Sequence, residues 1–348
     1  MSRTPPTSAR ADAPKKPTKR DFAAETARWC PGCGDFAVLS TLQKVFATLG
    51  IPREKIVVVS GIGCSSRLPY YMNCYGFHTI HGRGPTVATG VKLANPELSV
   101  WLVTGDGDGL SIGGNHLLHL MRRNLNINVL LFNNHVYALT KGQFSPTSAT
   151  GKKTKTSPEG SIDHPIEPVI FALGAEATFV ARTADTLSQH MERTFLDAAR
   201  HNGTSFVEIL QHCVIFDHHG WDHLTGREVR DDRLVLLEDG RPLVFGKEKN
   251  KGIVARSDHL EVVRLDGSGT TEDDLLVHDS GTFNYLYSRM IARMNHPDFP
   301  VPLGVIRSVK DRATYEESLE QKIAKVQSER ADEDLDHLLR GNDSWTVD

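Results

Sequence analysis

The chain has 348 residues, of which 39% are hydrophobic, and a formal net charge of −3. This length accommodates one large domain with an appendage or two modest ones, and the apolar content suffices for a substantial core. Charges of both signs are well mixed, which argues against a nucleic-acid-binding face, and no apolar run reaches the roughly 18 residues a membrane helix needs.

Residues 1–20 are rich in Pro, Lys, Ser and Thr and read as a disordered basic tail. They lack the apolar stretch of a secretory signal, and Asp12 and four prolines suit an amphipathic transit helix poorly. A cytoplasmic protein is expected. Its five cysteines are then thiols available for metal, cluster or catalysis rather than a disulfide framework.

From residue 21 to about 220 strands and helices alternate. Residues 55–60, 98–104, 127–132, 177–182 and 206–210 read as strands, and 86–93, 113–123 and 186–201 as helices. Strands that are apolar on both faces and joined by helices predict an α/β fold with a doubly wound parallel sheet. Residues 141–168 break the rhythm with glycines, prolines and the basic run 152–155, and form a long loop of the kind that is often functional. Residues 221–348 read as a smaller C-terminal α+β extension. It carries a hairpin bent at Asp239-Gly240 within 234–244, further strand over 253–265, a helix over 283–294 and a charged interface helix over 314–339.

Special sequences fall where the strands end, which is where parallel sheets bind ligands. Gly105-Asp106-Gly107-Asp108-Gly109 follows the strand 98–104, and Asn133-Asn134 follows 127–132. Mg²⁺ takes about six oxygens and often combines a carboxylate with phosphate oxygens. Asp106 can give the carboxylate, Asn134 a neutral side-chain oxygen and Val136 a carbonyl. A simple turn is the bland alternative. A dinucleotide fingerprint fails because Leu110 or Ile112 stands at the third glycine position. A calcium loop fails because Leu110, Ser111 and Leu117 stand where Asp or Asn, Gly and Glu are needed. The motif pair resembles that of the thiamine-diphosphate-binding family, whose Mg²⁺ ligands would map onto Asp106, Asn134 and the Val136 carbonyl.

Cysteines occupy Trp29-Cys30-Pro31-Gly32-Cys33-Gly34-Asp35, Gly61-Ile62-Gly63-Cys64-Ser65-Ser66-Arg67 and the segment after strand 206–210, at Cys213. Four thiolates suit tetrahedral zinc or an iron–sulfur cluster. Taken alone, one Cys-x-x-Cys with two scattered cysteines leans toward zinc or a redox pair. The neighbouring thiamine motif tips the balance. Decarboxylation of a 2-oxoacid on thiamine leaves a strongly reducing enamine, and a cluster can remove its electrons one at a time where zinc cannot.

These stretches, with His78–Gly84 and Asn133–Gln143, resemble the β subunits of 2-oxoacid:ferredoxin oxidoreductases over roughly residues 25–220. The resemblance implies that Cys30, Cys33, Cys64 and Cys213 hold one 4Fe–4S cluster. It implies that Ile62, Gly63, Cys64, Ser65, His81, Gly107, Asp108, Ala138 and Leu139 line the thiamine diphosphate. It assigns substrate carboxylates to Arg67 and Lys141 and a cofactor or proton-transfer role to His81. The implied reaction is reversible and belongs to the tricarboxylic acid cycle: 2-oxoglutarate, coenzyme A and oxidised ferredoxin give succinyl-CoA, carbon dioxide and reduced ferredoxin. An α subunit, or a fused γ–α one, would complete an α2β2-like assembly. Pyruvate or a branched-chain 2-oxoacid is the alternative substrate, and a non-redox thiamine decarboxylase or a non-catalytic interaction subunit with structural zinc is the alternative class. Cys74 reads as a buried structural thiol, the histidines at 212, 218, 219 and 223 as a polar loop near the site, and the basic run 152–155 as a solvated loop.

Overall fold

The computed structural model describes residues 17–265, 269–330, 335–341, 345 and 347. Most of the basic tail, residues 1–16, and part of the charged stretch, 331–334, therefore lie outside the described residues.

Strand β1, Ile56–Ser60, is buried at every position, as a β-branched run between two layers should be. The edge strand β2, Tyr75–His78, is exposed at every position. Helix α1, Asp35–Leu49, precedes them. The chain continues through α2 (Gly84–Ala94), β3 (Ser99–Gly105), α3 (Asp106–Leu110), α4 (Gly114–Arg122) and β4 (Ile127–Asn133). A short ribbon, β5 (Val136–Tyr137) with β6 (Gln143–Phe144), opens the long loop. Then come α5 (Pro168–Gly174), β7 (Phe179–Ala184), α6 (Ser188–Arg200) and β8 (Ser205–Leu210).

Side chains alternate across these strands, so one sheet feeds two cores. Ile56, Val58, Trp101 and Val103 meet Leu42 and Phe46 of α1 and Phe195 of α6. Val57, Val59, Val100 and Leu102 face the other way, with Leu117 and Met121 of α4 and Ala172 of α5. The double winding expected from the apolar runs is the observed architecture.

The region after residue 220 contains α7 (Asp222–Thr225), α8 (Arg230–Arg233), β9 (Leu234–Leu236), β10 (Val244–Phe245), β11 (Lys251–Ala255), β12 (Leu260–Arg264), α9 (Tyr285–Ala292), β13 (Val301–Ser308), α10 (Tyr315–Glu329) and α11 (Leu335–Arg340). Thr314 and Glu317 close a capping box at the start of α10.

Among the described residues eight strands form one sheet in the order β2-β1-β3-β4-β8-β7-β13-β9. The first six are parallel, and β13 runs antiparallel to β7. Two strands of the extension thus continue the main sheet, while β10, β11 and β12 make a separate three-stranded sheet.

The hairpin expected over 234–244 does not form. The turn at Asp239-Gly240 is there, with Gly240 at a φ of 73°, but β9 pairs with β13 and β10 with β11. A turn sequence sets a local bend; which sheet each arm joins is decided by distant apolar partners. Strand β13 was not anticipated, because Pro302 and Gly304 interrupt its apolar run. Gly304 adopts a φ of 128° where a Cβ would come within 2.8 Å of the Leu237 carbonyl, so glycine there admits the crossing chain. Among the described residues no helix is long and apolar enough to cross a membrane.

Candidate active site

Strands β1, β3, β4 and β8 are parallel, so the turns that follow them open along one sheet edge. Two cavities lie there. The first, about 240 Å³, is lined by Ile62, Gly63, Cys64 and Ser65 after β1, and by Asp106, Gly107 and Asp108 after β3. His81, Asn134, Val136, Ala138 and Leu139 complete the wall. The diphosphate and Mg²⁺ residues expected from the motifs therefore surround one space.

Asp106 is 2% exposed, and the Ser145 and Thr147 hydroxyls donate to its Oδ2 at 2.6 and 2.5 Å. Burial pushes its carboxyl pKa up, and these two hydroxyls, the Gly107 amide and Lys152 pull it back. A buried carboxylate facing a glycine-lined cavity is suited to a cation carrying a diphosphate. Gly107 is required by space: a Cβ would fall 2.3 Å from the Tyr137 ring, whose hydroxyl donates to the Gly107 carbonyl. Asp108 accepts from the Gly82 amide at 2.7 Å and the Thr104 hydroxyl at 3.0 Å, so its carboxylate fixes the turn that carries His81.

Asn134 turns its Nδ2 to Gln211 Oε1 at 2.8 Å, and its Oδ1 accepts from the Val136 amide. Asn133 points inward to Glu208, which pairs with Arg182 at 2.6 Å in the core. Lys152 differs from the solvated residue expected. Its Nζ donates to the His135 carbonyl at 2.9 Å and pairs with Asp217 at 3.1 Å, while Lys153 and Lys155 are exposed. The long loop is thus pinned to the Asn134–Val136 turn.

The second cavity, about 210 Å³, is lined by all four candidate cluster cysteines together with Arg28, Trp29, Asp35 and Arg67. Cys30 and Cys33 share a tight turn, in which the Cys33 amide donates to the Cys30 carbonyl. The Trp29 indole donates to the Cys64 carbonyl at 2.8 Å, joining that turn to the one after β1. Burial pushes the Cys64 thiol up to about 12 and raises Cys33 as well, with Asp35 adding to both. Thiols so placed ionise when a cationic metal core takes up the charge, so the donor set fits such a group. Among the described residues no three Cys, His, Asp or Glu side chains come close enough together to hold a single metal ion. Cys64, Asn134, Ala138 and Leu139 line both cavities.

Arg67 lines the cysteine cavity, and its guanidinium donates to the Arg28 carbonyl at 2.7 Å. Lys141 borders neither cavity; it is exposed, with a left-handed φ of 79°. Cys74 packs against the α1-side core, and burial raises its thiol to about 12. His212 sits between Asp185 and Asp222, at 2.8 and 3.2 Å, and His219 also pairs with Asp222. The residues sequence reasoning missed are Ser145, Thr147, Lys152 and Gln211. Only the Ser-Pro-Thr-Ser run in a loop already read as functional could have drawn attention to the first two.

Residues 61–209 match the family described as thiamine pyrophosphate enzyme, C-terminal TPP binding domain. The 2-oxoglutarate oxidoreductase subunit KorB of Mycobacterium tuberculosis is 45% identical over 341 residues, covering 97% of this chain and 90% of that one. The chain belongs to the β subunits of the 2-oxoacid:ferredoxin oxidoreductases. Another β subunit of this family, from 2-oxoacid:ferredoxin oxidoreductase 1 of Aeropyrum pernix, is 47% identical over 211 residues, 61% of this chain and 65% of its own. Among solved structures, the 2-oxoglutarate:ferredoxin oxidoreductase of Magnetococcus marinus, with 2-oxoglutarate, coenzyme A and succinyl-CoA bound, superposes with a TM-score of 0.70. It is 30% identical, and the match covers 92% of this chain and 93% of that one. The thiamine-diphosphate-binding fold of the family is the one observed here.

Proposed function

We propose that the chain is the β subunit of a 2-oxoglutarate:ferredoxin oxidoreductase that works with an α subunit in the cytoplasm and carries Mg²⁺, thiamine diphosphate and one 4Fe–4S cluster. The observation that carries this reading is the pair of adjoining cavities, one walled by Asp106, Asn134 and Val136 and the other by four cysteines, with Cys64 and Asn134 common to both. The names of the relatives from Mycobacterium tuberculosis and Magnetococcus marinus support 2-oxoglutarate as the substrate.

Thiamine diphosphate supplies a nucleophilic carbon for decarboxylating a 2-oxoacid, and a cluster beside it supplies one-electron transfer toward ferredoxin. The chain's own residues do the rest. Asp106, Asn134 and the Val136 carbonyl hold the diphosphate's Mg²⁺, and Ser145 and Thr147 fix the Asp106 carboxylate in place. Ile62, Gly63, Ser65, Gly107, Ala138 and Leu139 exclude water around the cofactor. Asp108 orients the turn bearing His81, which faces the same space. Arg67, on the wall of the cysteine cavity, meets a substrate carboxylate and is suited to a bidentate contact. Cys30, Cys33, Cys64 and Cys213 ligate the cluster, a cage of several atoms that suits a cavity of about 210 Å³ better than one ion does. Ile112 and Leu139 on the rim of the diphosphate cavity are exposed, which suits a partner subunit that covers it.

Metal analysis of anaerobically purified protein tests the reading. The expected result is a brown chain with about four iron atoms, inactive alone and active on 2-oxoglutarate, coenzyme A and ferredoxin once the α subunit is added. Colourless, zinc-loaded protein would overturn the cluster assignment. Turnover on pyruvate well above that on 2-oxoglutarate would overturn the substrate.

A further inference from the structure

Gln211 is the first residue after β8 and is 1% exposed. Its Nε2 lies 2.6 Å from the His212 carbonyl and 3.4 Å from Cys33 Sγ, and its Oε1 accepts from Asn134 Nδ2 at 2.8 Å. These contacts fix the amide orientation. A carbonyl only accepts, so the nitrogen of Gln211 must face His212, and with it Cys33. The oxygen of Gln211 then demands the Asn134 nitrogen, which leaves Asn134 Oδ1 on the opposite side, toward the Val136 amide. One buried side chain thus touches a thiol of the cysteine cavity and orients the amide of Asn134, which lines both cavities. No other residue makes a hydrogen bond to both Asn134 and one of the four cysteine thiols among the described residues.

We propose that Gln211 is a positioning residue that couples the two centres: it presents Asn134 Oδ1 to the Mg²⁺ and donates an N–H to the Cys33 sulfur of the cluster. The inference rests on the functional reading above. Hydrogen bonds to ligand sulfurs favour the reduced cluster, which carries more negative charge, and so raise its reduction potential. Outer partners of metal ligands are worth roughly 10–100-fold in affinity. Because both effects pass through one amide, occupation of the diphosphate site and the cluster's redox equilibrium should be linked, and linkage is reciprocal.

The test uses the complete α–β complex, anaerobic and iron-loaded, with potentials read from the cluster's electron paramagnetic resonance during a redox titration. In Gln211→Leu the one-electron equilibrium is expected to move about tenfold toward the oxidised form, a fall of about 59 mV. Affinity for thiamine diphosphate with Mg²⁺, measured by calorimetry, should fall roughly tenfold in the same protein. The shift in potential that adding the cofactor causes in the wild type should vanish. Gln211→Met keeps the side chain's length without adding charge and removes the donor to Cys33, and it should lower the potential even where Gln211→Leu does not assemble. Potential and cofactor affinity that stay at wild-type values in the folded, loaded variants would overturn the proposal, and so would a change in only one of them in Gln211→Leu. A wild-type complex holding no iron or binding no thiamine diphosphate would instead sink the functional reading, and the coupling with it.

Discussion

Asp106 has almost no contact with solvent, and burial holds its carboxyl above the usual carboxylate range. Holding the charged carboxylate in this buried place therefore costs the cation-free chain stability that a neutral side chain of the same shape would not. Asp106→Asn keeps an oxygen for the Ser145 and Thr147 hydroxyls and removes the charge. It is expected to melt at or above the wild-type temperature when cofactor-free. It should also lose the rise in melting temperature that Mg²⁺ with thiamine diphosphate gives the wild type, with affinity down by at least roughly a hundredfold. A variant that is both less stable and still cofactor-responsive would contradict this account. Asp106, Asn134, Cys64 and Cys213 stand out in the sequence because each follows a strand in a recognisable string, and Cys30 and Cys33 because they form a Cys-x-x-Cys just before helix α1. Ser145, Thr147, Lys152 and Gln211 do not. They are ordinary polar residues in loops, and their partners are far off in the chain, such as Asp106 for Thr147 and Cys33 for Gln211.

Among the elements, the strands buried on both faces were legible because an unbroken β-branched run has few other uses, whereas β2 is wholly exposed and β13 carries a proline and a glycine. Helix α6 has a property no pattern of hydrophobicity reveals. Its C-terminal cap, His201, is buried, with Nε2 2.7 Å from the Thr178 hydroxyl, and burial lowers its pKa to about 4, with Lys310 adding to the effect. The unfolded chain takes up the proton first. The stabilisation from keeping His201 neutral is therefore complete above about pH 6.5 and is lost as pH falls toward 4. Going from pH 7 to pH 5 should cost on the order of 2 kcal/mol through this group alone. Urea unfolding at the two pH values measures it: His201→Gln should lose that much less stability than the wild type on acidification. Equal losses in the two proteins would show that another group controls the acid response.

At the level of the whole molecule, the change of character after residue 220 was visible in the sequence, but its consequence for the sheet was not. Composition reveals where helix–strand alternation stops. It does not reveal that β13 returns to lie against β7, because that pairing is antiparallel, joins residues more than a hundred positions apart and shifts register between Val305 and Arg307. The pairing has a bearing on how the protein can be cut. A chain ended at residue 220 retains every cysteine and every diphosphate residue named above, yet it bares the edge of β7 that pairs with β13, from Phe179 to Arg182. Buried strands stripped of a neighbour recruit another chain. Such a fragment should collect in inclusion bodies or as light-scattering oligomers, while the full chain stays dispersed under the same conditions. A monodisperse fragment of that length would mean that the C-terminal third is dispensable as a seam.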